Sequence, residues 1–123
     1  MARQRLLRWL AGVQAAYFVA TGVWPLVHLR SFLAVTGPKY DLWLVKTVGV
    51  LIGIIGVAIG VAAWRARFTP ETVTLGGGSA ALLAGVDIYY HARGTIPPVY
   101  LVDALAEIVL VVLWLMLWRP GRS

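Results

Sequence analysis

Residues 42–64 read LWLVKTVGVLIGIIGVAIGVAAW. The stretch carries one formal charge, Lys46, and no proline. It is long enough to cross a bilayer as a helix, which takes about 20 apolar residues. At 100° per residue, Leu42, Lys46, Gly49, Gly53, Gly56 and Gly60 fall on one narrow stripe. Glycines in that register let two helix backbones approach closely in lipid, where packing replaces the hydrophobic effect as the adhesive. Lys46 shares the stripe, so it is expected to point into protein rather than into lipid.

Working outward, three more segments have the length and apolarity of spans: about residues 6–28, 72–91 and 98–118. Turn chemistry separates them: Thr36, Gly37 and Pro38, then Thr69 and Pro70, then Gly94 with Pro97 and Pro98. Pro70 and Pro98 also suit the first turn of a helix, and Asp41 is placed to cap the helix that begins at Leu42. The basic, then apolar, start resembles a secretory signal, but the apolar run continues past residue 20, as a first membrane helix would. The expected fold is all-α: a bundle of four transmembrane helices, residues 1–123 forming a single integral membrane domain. The third helix opens Gly76-Gly77-Gly78-Ser79-Ala80-Ala81 and is the natural partner for the glycine stripe.

Composition agrees. Of 123 residues, 60% are hydrophobic and 13% charged, against about 25% charged in soluble domains. A water-soluble chain this short has too little interior for so much apolar surface. The net charge of +6 does not point to nucleic acid, because the basic residues sit between apolar runs. Arg3, Arg5, Arg8, Arg65, Arg67, Arg119 and Arg122 fall on one side, and Arg30, Lys39 and Arg93 on the other. The first side is therefore expected to be cytoplasmic, with both termini there and the protein multi-pass in the plasma (inner) membrane. Trp64, Trp114 and Trp118 would form the inner aromatic belt, and Trp24, Trp43, Tyr40 and Tyr100 the outer one. The cytoplasmic arginines would meet anionic lipid. The absence of cysteine excludes disulfides, thiol nucleophiles and thiolate metal ligands.

Each helix also offers one polar side. The first carries Gln14, Tyr17, Thr21, Trp24 and His28; the third Asp87 and His91; the fourth Tyr100, Asp103, Glu107 and Trp114. The ionisable groups gather towards the outer ends, which predicts an outward-facing polar cavity. Ionisable residues inside a membrane cost about 2.5–3.5 kcal/mol on insertion scales and usually pair or face a cavity. Pairing of Lys46 with Asp87 or Asp103 would lock the bundle and nothing more. Glu107 is deepest, about 13 Å below the helix start, and one lysine cannot neutralise three carboxylates. It suits a proton carrier, or with Asp103 a general acid and base. His28, His91 and the acids form a generic N/O ligand set, but histidines at helix ends are more often interfacial, so no metal is expected. The loop Thr36-Gly37-Pro38-Lys39-Tyr40-Asp41 is either a plain turn or a lid over the cavity.

The apolar, glycine-punctuated run Leu44-Val45-Lys46-Thr47-Val48-Gly49-Val50-Leu51, with the chain length and helix count, resembles the small bacterial four-helix membrane proteins grouped around DoxX. The resemblance implies a membrane subunit or accessory protein, some relatives being linked to quinone-dependent oxidation; it assigns no functional residue. Small multidrug transporters are similar in size but need an acid in the first helix, where this chain has Gln14. The sterol-isomerase-like membrane fold is similar in placing acids and histidine inside a helical bundle.

Three functions fit these residues. The first is binding or transport of a small amphipathic or cationic ligand, including a proton-linked form, by Lys46, Asp87, His91, Asp103, Glu107 and His28, with Tyr17, Trp24 and Tyr100 as walls. The second is an intramembrane acid/base enzyme on a lipid-like substrate, with Glu107 and Asp103 as candidate catalytic groups. The third is a structural or accessory subunit whose stripe of Gly49, Gly53, Gly56 and Gly60 docks on a copy of itself or on a larger membrane complex. No cofactor follows from the sequence.

Overall fold

The structure, a computed structural model, describes residues 2–118. Arg119 and Arg122, two of the basic residues used for orientation, lie outside the described residues. The fold is all-α, with α1 (Ala2–Val27), α2 (Leu29–Thr36), α3 (Leu42–Arg65), α4 (Pro70–Ala92) and α5 (Val99–Leu117). Among the described residues, α1, α3 and α5 are long and apolar enough to cross a membrane. The chain is thus a small helical protein of multi-pass membrane type.

The element missing from the four-helix expectation is α2. His28 does not end a span; its backbone leaves helical geometry at φ −144° and its side chain caps α2 by accepting from the Ser31 amide. Apolar side chains at Leu29, Phe32 and Leu33 recur at helical spacing, and Gly37 closes the helix at φ +97°, where a side chain would be strained. Eight residues are too short to span. Other boundaries follow ordinary chemistry. Thr69 Oγ1 accepts from the Thr72 amide, with Pro70 at the first position of α4. Asp41 precedes α3 but makes no side-chain cap, contrary to the expectation.

Helices pair α1 with α3 and α4 with α5 over most of their lengths, while α1 meets α5, and α3 meets α4, only lightly. The glycine stripe of α3 therefore packs on α1, not on α4. Gly49 lies against Gly22 and Pro25, a Cβ on Gly56 would come 2.9 Å from Phe18 Cβ, and one on Gly60 would come 3.3 Å from Ala15. Gly53 has open space where its Cβ would be. The small residues of α4 serve α5 instead: a Cβ on Gly76 would come 2.8 Å from the Trp114 indole. Both partners are small-faced, so the sequence alone did not distinguish them.

The interior is filled at one end only. Leu7, Leu10, Ala11, Phe18, Ile59, Phe68, Ala80, Leu110 and Trp114 form a continuous core near the start of α1 and the α3–α4 connection. Trp114, expected in an aromatic belt, belongs to this core, because Gly76 leaves room for its ring. Trp9, Trp43 and Trp64 remain exposed, as interfacial anchors are. The last turn of α3 is held to α1 through its carbonyls: Gln4 Nε2 donates to Ala66 O (2.7 Å) and Arg8 Nε to Ala63 O (2.9 Å). These carbonyls lie at a helix C-terminus, where a cation is favoured.

Candidate functional site

Away from that core the two helix pairs separate, and a cavity of about 530 Å³ lies between them. Every helix contributes to its wall. The polar groups come from four of them: Tyr17 and Thr21 from α1, Thr36 from the end of α2, Asp87 from α4, and Asp103 and Glu107 from α5. Most of the remaining lining is apolar or aromatic, with Phe18, Trp24, Phe32, Ile52, Leu83 and Tyr100 as its larger side chains.

The carboxyls sit at successive depths. Asp103 and Glu107 are one turn apart on α5, and Asp87 faces them from α4. Glu107 is 1% exposed and Asp87 5%. Among the described residues, Asp87 Oδ2 and Glu107 Oε1 are buried without a hydrogen-bond partner. Buried polar atoms are nearly always paired, so two orphans facing one cavity call for an explanation. Asp103 is half-buried and accepts a hydrogen bond from the Tyr17 hydroxyl. Among the described residues, no lysine, arginine or histidine lines the cavity.

The floor is a closed polar network. Gln14 is fully buried; its Nε2 donates to Gly76 O (2.8 Å), and its Oε1 accepts from Trp114 Nε1 (2.6 Å). Each amide group of Gln14 is thus used, and the side chain ties α1, α4 and α5 together. Gln14 therefore belongs to the floor, not to the open polar stripe in which the sequence placed it.

The rim is built by α2 and the loop after it. Trp24 Nε1 donates to Ser31 Oγ (2.8 Å), and its ring stands edge-on to Phe32 with centroids 5.3 Å apart. Lys39 turns back onto the end of α2. Its ammonium donates to Thr36 O (3.2 Å), Thr36 Oγ1 (3.0 Å) and Gly37 O (3.2 Å). It also lies 5.5 Å from the Phe32 ring centroid and 5.3 Å from that of Tyr100, within cation–π range.

Of the residues singled out from the sequence, Tyr17, Trp24, Asp87, Tyr100, Asp103 and Glu107 share this cavity. Lys46 does not: it is exposed and outside the lining. Gly49 already meets the last turn of α1 at Pro25, and Lys46 stands a turn beyond, where α1 has ended. A long side chain there runs out towards the interface. Its expected pairing with Asp87 or Asp103 is accordingly overturned. His28 is exposed and occupied with Ser31, while His91 Nδ1 donates to Ile96 O (3.2 Å) on the loop after α4; neither lines the cavity. No group of three potential metal ligands occurs among the described residues.

The sequence reading missed Phe32 and the short helix α2; it placed Thr36 and Lys39 in a turn or lid, without the contacts that hold the Lys39 ammonium. The signal was present in Leu29, Phe32, Leu33 and Thr36, which share a helical face, but the segment is too short to register as a span. Compared with known proteins, the chain matches no family model, no curated protein and no solved structure.

Proposed function

We propose that the protein spans the plasma membrane four times, with both termini cytoplasmic, and that its outward-facing cavity binds a small amphipathic cation in exchange for a proton. The observation that carries this is the pair of unpartnered buried carboxyl oxygens, Asp87 Oδ2 and Glu107 Oε1, facing a largely apolar and aromatic cavity whose wall, among the described residues, holds no basic side chain. Such a cluster takes its counter-charge from an ammonium or from a proton, and the two compete for the same oxygens. Aromatic walls suit the apolar part of the ligand and the cation itself.

Membership of α4 among the spans is supported by its 23 residues, about 34 Å of helix. Its glycines, threonines and Asp87 make it less apolar than the others, and Asp87 and Gly76 are turned inward, away from lipid. Orientation is supported by Arg3, Arg5 and Arg8 at the start of α1 lying beside Arg65 and Arg67 at the end of α3, since Gln4 and Arg8 bond directly to that end. A purely structural subunit has less support, because a cavity of about 530 Å³ remains between the helix pairs.

The test is calorimetry of benzylammonium binding to the protein in nanodiscs, in buffers of different ionisation enthalpy. Saturable binding is expected, with a heat that depends on the buffer because protons are released, and Glu107→Gln should lose it while keeping its helical circular dichroism. No binding by the native protein, or equal binding by the variant, would reject the proposal.

A further inference from the structure

We infer that the cavity is loaded sideways from the lipid, through the gap between α3 and α4, by a single-chain alkylammonium whose head rests among Asp87, Asp103 and Glu107 while its tail lies in the gap. This rests on the cation reading of the same cavity and adds the ligand's class and its route.

Three observations converge. The first is the gap itself. Helices α3 and α4 touch only lightly, yet both line the cavity, α3 with Val45, Val48 and Ile52, α4 with Leu83 and Val86. Val48 is 49% exposed and Val86 50%, so two cavity-lining side chains on facing helices also look outward. An opening edged by valine on both sides meets acyl chains at little cost, whereas it offers water no hydrogen bond.

The second is depth. Val48 lies six residues into α3, and Val86 six residues before the end of α4, so both stand about 9 Å inside the helix ends. Asp103 is four residues into α5 and Glu107 eight, about 6 and 12 Å. The gap therefore opens at the level of the carboxyls, below the headgroups. A ligand entering there keeps its charged head beside the acids and leaves its apolar chain in apolar surroundings throughout.

The third is the other end. There Lys39 is held by three oxygens and faced by the rings of Phe32 and Tyr100, both of which line the cavity. That cage also shows the chemistry at work, because the lysine side chain is a primary alkylammonium, received by Phe32, Thr36 and Tyr100 of the cavity wall.

The experiment uses the full chain in nanodiscs with dodecylammonium bearing a diazirine at the tail terminus. After irradiation, peptide mapping is expected to find adducts on Val45, Val48, Leu83 and Val86. A tenfold excess of unlabelled dodecylammonium over saturation should reduce them about tenfold by mass action. Val48→Trp and Val86→Trp, each filling the gap from its own side, should lose the adducts while keeping their helical circular dichroism. Adducts on Phe32 or Lys39 instead, or spread over Leu51 and Leu115 without competition, would overturn side entry. Glu107-dependent binding of benzylammonium then separates the two ideas: if it persists, only the route and tail site fall, and if it is absent, the cation reading falls with them.

Discussion

The Tyr17 hydroxyl donates to Asp103 Oδ1 across the cavity, joining the α1–α3 pair to the α4–α5 pair. It is the one polar side-chain link between the pairs at the depth of the acids, the other being Gln14 at the floor, among the described residues. Tyr17→Phe keeps the ring and removes the donor, leaving a second aspartate without a partner. A loss of about 0.5–2 kcal/mol is expected, in line with hydrogen bonds between membrane helices. Thermal unfolding in detergent measures it. The helix pairs should also part more readily, seen as faster exchange of the α5 amides near Asp103. An unchanged melting temperature would mean that the bond contributes nothing to holding the pairs together.

Gly76 and Gly77 are neighbours with opposite prospects. A Cβ at Gly76 would come 2.8 Å from the Trp114 ring, which is buried, rigid and bonded to Gln14, whereas one at Gly77 would sit 3.7 Å from Trp114 Cβ, an ordinary contact. Gly76→Ala is expected to destabilise by about 1–3 kcal/mol, as overpacking does. Gly77→Ala should be neutral or gain up to about 1 kcal/mol from helix propensity. Melting curves of the two variants, side by side, check this; similar curves would contradict the packing of the floor.

Much of the architecture was legible because bilayer geometry is a strict filter. The apolar runs and the prolines and glycines between them set α3, α4 and α5 to within about two residues, the usual uncertainty of helix ends. Asp87, Asp103 and Glu107 were traced to one cavity because helical periodicity assigns each to the inner face of its helix. What was not legible depends on which helices are neighbours. Small faces on both α1 and α4 competed for the glycine stripe of α3, and periodicity carries no information about that choice. Lys46 was misplaced for the same reason, since its surroundings depend on where α1 stops. The break at His28 and the turn back of Lys39 are local events, too short for an apolar-length filter to register.

The stripe itself divides into contacts and a space. Gly56 faces Phe18 and Val19 at 2.9–3.0 Å, while Gly53 has nothing within 4 Å of its missing Cβ. Gly56→Ala must push α1 and α3 apart and should cost about 1–3 kcal/mol. Gly53→Ala should fold at least as well as the native chain, since an alanine there gains up to about 1 kcal/mol of helix propensity. Thermal melts of both variants in the same detergent decide the matter. Equal destabilisation would mean that the whole stripe, and not two of its turns, carries the contact with α1.

Whether α4 crosses the membrane is the point on which the four-span arrangement turns, because α1, α3 and α5 alone would put the ends of the chain on opposite sides. The chain has no cysteine, so single cysteines report without background. Glu71 lies in the first turn of α4 and is exposed, and Gly94 follows its end, also exposed. If α4 spans, Gly94→Cys should react with a membrane-impermeant maleimide on intact cells, and Glu71→Cys only after the membrane is permeabilised. Arg67→Cys, at the end of α3, should behave like Glu71→Cys, and Lys39→Cys like Gly94→Cys. Labelling of Glu71→Cys and Gly94→Cys from the same side would leave Asp87 without a route into the bilayer. The three carboxyls would then not share an intramembrane site, whatever ligand the protein binds.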